Sequence, residues 1–178
     1  YRLYGFLHVI KVYRDNTKSE NLAATPGLVR LLDASKGGEL KFFRINDEVM
    51  GGKSISELSI GNGGSSLIFA GTINTNGGGF ASCRTLGDEA PLGLSNGTTS
   101  TLLVDATGDG FLHKLTLHTA DSWQMGTPSW SADFLTERDV RATHRLPLAE
   151  FIASKQGRPV RGATLDGSTV TGLGFGLS

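Results

Sequence analysis

From about Lys41 onward, apolar and polar positions alternate with a period of two, the signature of half-buried strands. Leu58-Ser59-Ile60 and Leu67-Ile68-Phe69-Ala70 are predicted strands, and Gly61-Asn62-Gly63-Gly64 between them is a hairpin signal. Thr72-Ile73 leads into a second turn cluster, Asn74 to Gly79, after which Phe80 to Arg84 resumes a strand. Leu102-Leu103-Val104 reads as a buried strand ended by Gly108-Asp109-Gly110. Beyond it, Phe111, His113, Leu115 and Leu117 share one face, and Leu112, Lys114, Thr116 and His118 share the other. Trp130, Ala132 and Phe134 alternate in the same way, which places Trp130 in the core. Arg141 to Leu148 is a further strand, followed by one helical turn near Ala149 to Ser154, and Leu173 to Leu177 is the last strand. Short strands at spacings of roughly ten residues, joined by glycine turns, predict an all-β sandwich or barrel.

The first residues follow another pattern. Tyr1 to Tyr13 mixes aromatic and basic residues without a clean period. Asn21 to Leu32 predicts a short helix: Asn21 is a capping residue, and Leu22, Leu28, Val29, Leu31 and Leu32 form a rough apolar stripe. Residues 1–40 are therefore expected to be a partly helical N-terminal extension lying on a partner or outside the sandwich, and residues 41–178 the sandwich domain. The chain begins at Tyr1 rather than Met, the mark of a processed, trimmed or partial chain.

Composition narrows the function classes. Lys+Arg and Asp+Glu are each 17, so the net charge is zero, and the electrostatic footprint of a general nucleic-acid binder or an anionic-membrane binder is missing. No stretch approaches the ~20 apolar residues of a membrane helix. The single cysteine, Cys83, excludes an intrachain disulfide and a multi-cysteine zinc site, and its strand context predicts a buried thiol. Glycine is 25 of 178 residues, which fits many tight turns between short strands.

Chemistry-bearing patterns are sparse. Gly51-Gly52-Lys53-Ser54 resembles the end of a phosphate-binding loop, but position 47, where that loop needs a glycine, is Asp47. His113 and His118 are five residues apart on one strand and point to opposite faces, so they cannot chelate one ion together. Asp105 and Asp109 flank a turn, where carboxylates hold calcium in some sandwich domains; solvated turn carboxylates are the plainer expectation. No Gly-x-Ser-x-Gly elbow is present, and no pair of acids is marked out for glycoside hydrolysis. Asn96-Gly97-Thr98 is a glycosylation sequon, read here as a polar loop.

The distinctive segments are glycine-rich. Asn46-Asp47-Glu48-Val49-Met50-Gly51-Gly52-Lys53-Ser54 comes first and Gly77-Gly78-Gly79-Phe80-Ala81-Ser82-Cys83-Arg84 second. Gly108-Asp109-Gly110 with Lys114-Leu115, Leu146 to Phe151, and Leu173-Gly174-Phe175-Gly176 follow. Together, from about Phe43 to Ser178, they resemble the complex I intermediate-associated protein family. That resemblance implies a galactose-binding-like β-sandwich of jelly-roll type. It implies a non-catalytic assembly factor or accessory scaffold subunit, binding protein subunits of an organelle membrane electron-transfer complex, respiratory complex I or a photosystem. It places the chain in a mitochondrion or plastid, peripheral to the membrane, with no cofactor and no catalytic residues. Two departures stand out: Gly77 replaces the usual Asn, and His113 stands at a usually aromatic position. The family domain also continues with a further strand, so the sandwich is expected to lack its last one and leave an edge open.

The expected partner-binding residues are Asn46, Asp47, Met50, Gly51, Gly52, Ser54, Phe80 and Arg84. Gly51-Gly52 permits positive φ, Asn46 and Asp47 can accept backbone N–H bonds, and Met50 would stand at the bend. Two readings stay open: the two motifs build a corner of the sandwich, or they form a docking surface. A rival from another class is a carbohydrate-binding module of the same fold, for which Trp123, in a loop, is the one stacking platform.

Overall fold

The computed structural model describes residues 2–15, 28–32, 42–61, 66–74, 79–86, 91–94, 101–123, 127–155 and 157–177. Asn21 to Gly27 of the expected helix, Asn62 to Gly64, Gly77, Gly78 and the Asn96 sequon lie outside these residues. The strands are β1 (Arg2–Asp15), β2 (Leu28–Leu32), β3 (Phe42–Asn46), β4 (Ile55–Gly61), β5 (Ser66–Asn74), β6 (Ala81–Thr85) and β7 (Thr101–Gly108). They continue with β8 (Leu112–Thr119), β9 (Ser129–Leu135), β10 (Arg141–Pro147), β11 (Ile152–Lys155), β12 (Arg158–Pro159) and β13 (Val170–Leu177).

The expected all-β sandwich is what forms: two antiparallel sheets. The first runs β10-β7-β1-β5-β4, with β2 added to β1; the second runs β12-β11-β9-β8-β13-β6-β3. Alternation explains the layers. Phe69, Leu7, Leu102, Val104 and Leu146 of the first sheet meet Cys83, Leu115, Leu117, Trp130, Phe134, Leu173 and Phe175 of the second in one core. Trp130 is buried there, as its alternation with Ala132 and Phe134 predicts.

The segment expected to lie outside the sandwich supplies its central strand. β1 pairs with β5 along one edge from Arg2 to Val9 and with β7 along the other from Leu7 to Asp15. Leu7, Val9 and Val12 are completely buried. The register shifts between Val9 and Lys11, a bulge that changes which parity faces the core. Leu28–Leu32, read as the end of a helix, is instead a strand paired with Val12 to Asp15. The helical turn expected over Ala149 to Ser154 is a 3-10 turn at Leu148–Glu150, and Ile152–Lys155 beyond it is strand β11. The last strand of the chain, β13, is internal, between β8 and β6.

Candidate functional site

The first glycine-rich motif follows β3. Asn46 ends the strand, Asp47–Met50 form one 3-10 turn, and Gly51 stops it in the left-handed region at φ 82°. Asp47 turns back under this bend. Its carboxylate accepts bonds from the Ser54 N–H at 2.8 Å and the Ser54 hydroxyl at 2.7 Å. The Ser54 hydroxyl oxygen in turn accepts from the Asn74 N–H at 3.0 Å, tying the bend to the end of β5. A Cβ on Gly52 would stand 2.1 Å from the Asp47 Cγ, so glycine is required for the carboxylate to fit. Burial raises the Asp47 pKa, but the bonds from Ser54 outweigh it, and the group is held below its ordinary 3.8.

The second motif closes the same corner. The Asp47 N–H donates to the Phe80 carbonyl at 3.3 Å, and β6 pairs with β3 from Asn46↔Ala81 to Phe42↔Thr85. A Cβ on Gly79 would lie 2.1 Å from the Asn74 carbonyl oxygen, which fixes that glycine by close approach. Ser82 donates to the Ile45 carbonyl at 3.2 Å, and the Asn46 side-chain oxygen accepts from the Ser56 hydroxyl at 2.5 Å. The Arg44 guanidinium donates to the Ser56 carbonyl.

The structure thus brings Asn46, Asp47, Met50, Gly51, Gly52, Ser54 and Phe80 into one corner, and Arg84 stands further along β6. They divide by exposure. Asp47 and Ser54, expected on a binding surface, are 2% and 0% exposed, and their polar atoms are engaged inside the corner. Gly51 is exposed, while Asn46, Gly52, Phe80 and Arg84 are half-buried. Arg84 lies with its guanidinium carbon 5.3 Å from the centre of the Phe43 ring. Beside the corner, a groove of about 560 Å³ is lined by Phe42, Phe43, Arg44, Ile45 and Asn46 of β3, Glu48 of the 3-10 turn and Leu58 of β4, where β3 and β4 are edge strands of the two sheets.

The profile of one protein family, complex I intermediate-associated protein 30, matches residues 34–178. The chain belongs to this family. No curated protein matches it. The match begins beyond β2, so the central strand β1 lies outside it.

Elsewhere in this family member, burial decides the remaining chemistry. Cys83 is completely buried, and desolvation pushes its thiol up to about 12, which favours the protonated form. The turn carboxylates are not solvated, contrary to expectation. Asp105 takes two bonds from Arg141, at 2.8 and 2.5 Å. Asp109, 8% exposed, accepts from the Phe6 N–H at 2.6 Å and the Phe111 N–H at 3.0 Å and pairs with His113 Nε2 at 2.9 Å. His113 fills its usually aromatic position as a ring, 5.9 Å from Phe134, and burial holds its pKa below 6.5 despite Asp109. Sequence reasoning missed this Asp109–His113 pair, although the i,i+4 spacing after the glycine turn was visible. It also missed the bond between His8 Nε2 and the Ser66 hydroxyl, at 2.8 Å, because the two are 58 positions apart. Ser66 is 0% exposed, so that pair offers no accessible nucleophile.

Proposed function

We propose that the chain is a non-catalytic accessory protein that docks subunits of respiratory complex I during its assembly, in the mitochondrion and peripheral to the inner membrane. Family membership supports the assembly role. Among the described residues, no helix is long and apolar enough to cross a membrane. The observation that carries the docking site is the groove beside the corner. Phe42, Phe43, Ile45 and Leu58 give it apolar walls, Arg44 and Glu48 give it charged rims, and the buried Asp47–Ser54 knot holds it in shape. Apolar centres with polar rims are the usual anatomy of protein interfaces. In this reading Asp47, Gly52 and Ser54 shape the site, while Asn46, Glu48 and Phe43 meet the partner.

The test is co-purification of the tagged chain with complex I subunits from mitochondria. Wild type should recover them. Leu58→Asp, and the exposed-rim change Glu48→Arg, should lose them with the melting temperature of Glu48→Arg unchanged. Recovery of the subunits by both folded variants would show that the groove is not the docking site.

A further inference from the structure

β3 and β4 end the two sheets on the same side of the sandwich, and among the described residues neither has a second strand neighbour. Side chains of β3 tie the two together: Asn46 accepts from the Ser56 hydroxyl, and Arg44 donates to the Ser56 carbonyl. The docking groove lies along this side and reaches the core. Phe42 stacks on Phe175 with 6.4 Å between ring centres, and Phe42 and Leu58 pack against the buried cluster while half-buried themselves. Ile60, on the same face of β4 as Leu58, is 59% exposed.

The groove is lined by consecutive residues of β3, Phe42 to Asn46. A groove over one face of a strand meets every second residue, whereas one that meets each residue in turn follows the hydrogen-bonding edge. The ladder agrees with the second case. The Asp47 N–H bonds to the Phe80 carbonyl, and bonded pairs alternate along an antiparallel ladder. Ile45↔Ser82 and Phe43↔Arg84 are therefore the next bonded pairs, and the N–H and C=O groups of Phe42, Arg44 and Asn46 face away from β6. These groups take no backbone partner among the described residues.

Edge strands are usually guarded against pairing by shortness, proline, charge or a bulge. The far edges of this sandwich are guarded. β12 is two residues long and ends in Pro159, and β10 carries exposed Arg141 and Arg145 and ends in Pro147. β3, Phe-Phe-Arg-Ile-Asn, has no proline, and its register with β6 is continuous. Its one charged side chain, Arg44, is turned across to β4.

Charge sets the direction of an occupant. Glu48 is exposed at the end of the groove beyond Asn46 and has no ion pair among the described residues. A strand running antiparallel to β3 starts beside that end, so a basic residue at its start meets Glu48.

We propose that β3 accepts an extended segment of a partner protein as an added antiparallel strand. Its backbone bonds to Phe42, Arg44 and Asn46, its inward side chains are apolar and lie against Phe42 and Leu58, and a leading Lys or Arg sits on Glu48. The proposal rests on the reading of the groove as the docking site and names the form and chemistry of what docks there.

The probe is a short, end-blocked, fluorescent peptide of alternating Val and Thr led by Lys, titrated into the full chain and followed by anisotropy. Saturable binding is expected. Residues opposite Phe42, Arg44 and Asn46 turn both their side chain inward and their N–H toward β3, so with Val inward the Val amides make the bonds. Backbone N-methylation at Val should weaken binding by about tenfold or more, and N-methylation at Thr should leave it saturable. On adding peptide, amide exchange should slow at Phe42, Arg44 and Asn46 and stay unchanged at Phe43 and Ile45, which already bond to β6. Glu48→Arg should reverse the preference, so that a Glu-led peptide binds more tightly than the Lys-led one. No saturable binding, equal loss from both methylated peptides, or unchanged exchange at Arg44 and Asn46 would overturn the proposal. A dimer in sedimentation that the peptide does not dissociate, with β3 amides protected in it, would overturn it in favour of a second copy. Failure of the peptide while Leu58→Asp still abolishes co-purification of complex I subunits would refute this inference and leave the docking reading standing. Strand addition by a chain that recovers no such subunits would do the reverse.

Discussion

Asp47 shows how one residue can look like a binding group and act as a structural one. Its carboxylate satisfies the Ser54 N–H and hydroxyl inside a corner from which water is excluded, and Gly52 leaves the space it occupies. Asp47→Ala is therefore expected to lower the melting temperature by several degrees, because the Ser54 donors are left unpaired. Gly52→Ala should cost about 1–3 kcal/mol by overpacking against the same carboxylate. Both are read by thermal and urea unfolding. The folded pKa of Asp47 lies below its ordinary 3.8, so its contribution is complete above about pH 4 and is lost as pH falls through the lowered value. Asp47→Asn should flatten that acid limb. His118 acts in a higher window. Its folded value of about 4 lies below 6.5, so stability is complete above pH 6.5 and drains away as pH falls toward 4. The loss is on the order of 3 kcal/mol, and urea midpoints of wild type and His118→Gln between pH 7.5 and 4.5 measure it. For Cys83, thiol labelling should be slow in the folded protein and fast in denaturant.

At the scale of elements, β1 is the strand on which the first sheet depends. It separates β5 from β7, so without it the sheet divides into two pieces. Its amides are expected to exchange as slowly as those of β5 and β7, measured residue by residue on the intact chain. Leu7→Ala should cost about 2–5 kcal/mol, the range for a fully buried leucine. Ordinary surface-like exchange across Leu7 to Val12 would contradict this placement. The sequence hid β1 for a definite reason. Leu7 and Val9 keep a period of two, but the bulge between Val9 and Lys11 shifts the phase, so the next buried residue is Val12. A strand with a phase change in its middle shows no clean period to a reader who allows only one. Leu28–Leu32 misled in another way, because a short apolar run does not distinguish strand from helix until its partner is known.

For the molecule as a whole, Asp109 is the clasp between the layers. It takes the Phe6 N–H from the first sheet and the His113 ring from the second, with Phe111 on the connecting turn. Because it joins both sheets around one core, unfolding should be a single transition by fluorescence and circular dichroism. Asp109→Ala should lower that transition without splitting it. Two separated transitions would show that the sheets melt independently.

Alternation and glycine turns alone were enough to specify an all-β sandwich, the strands from β4 to β10 and β13, the inward face of β8, and the burial of Trp130 and Cys83. Each of these depends on near neighbours in the chain, whose geometry follows from a period of two. The glycine-rich motifs were also legible as units, and the family to which they belong matched. Only the folded chain decided what the motif residues do. Whether Asp47 faces a partner or Ser54 depends on a bend that closes through Asn74 and Phe80, contacts made across strands. Side-chain period is local, but strand neighbours are chosen by the packing of the whole core, and binding surfaces are built from neighbours.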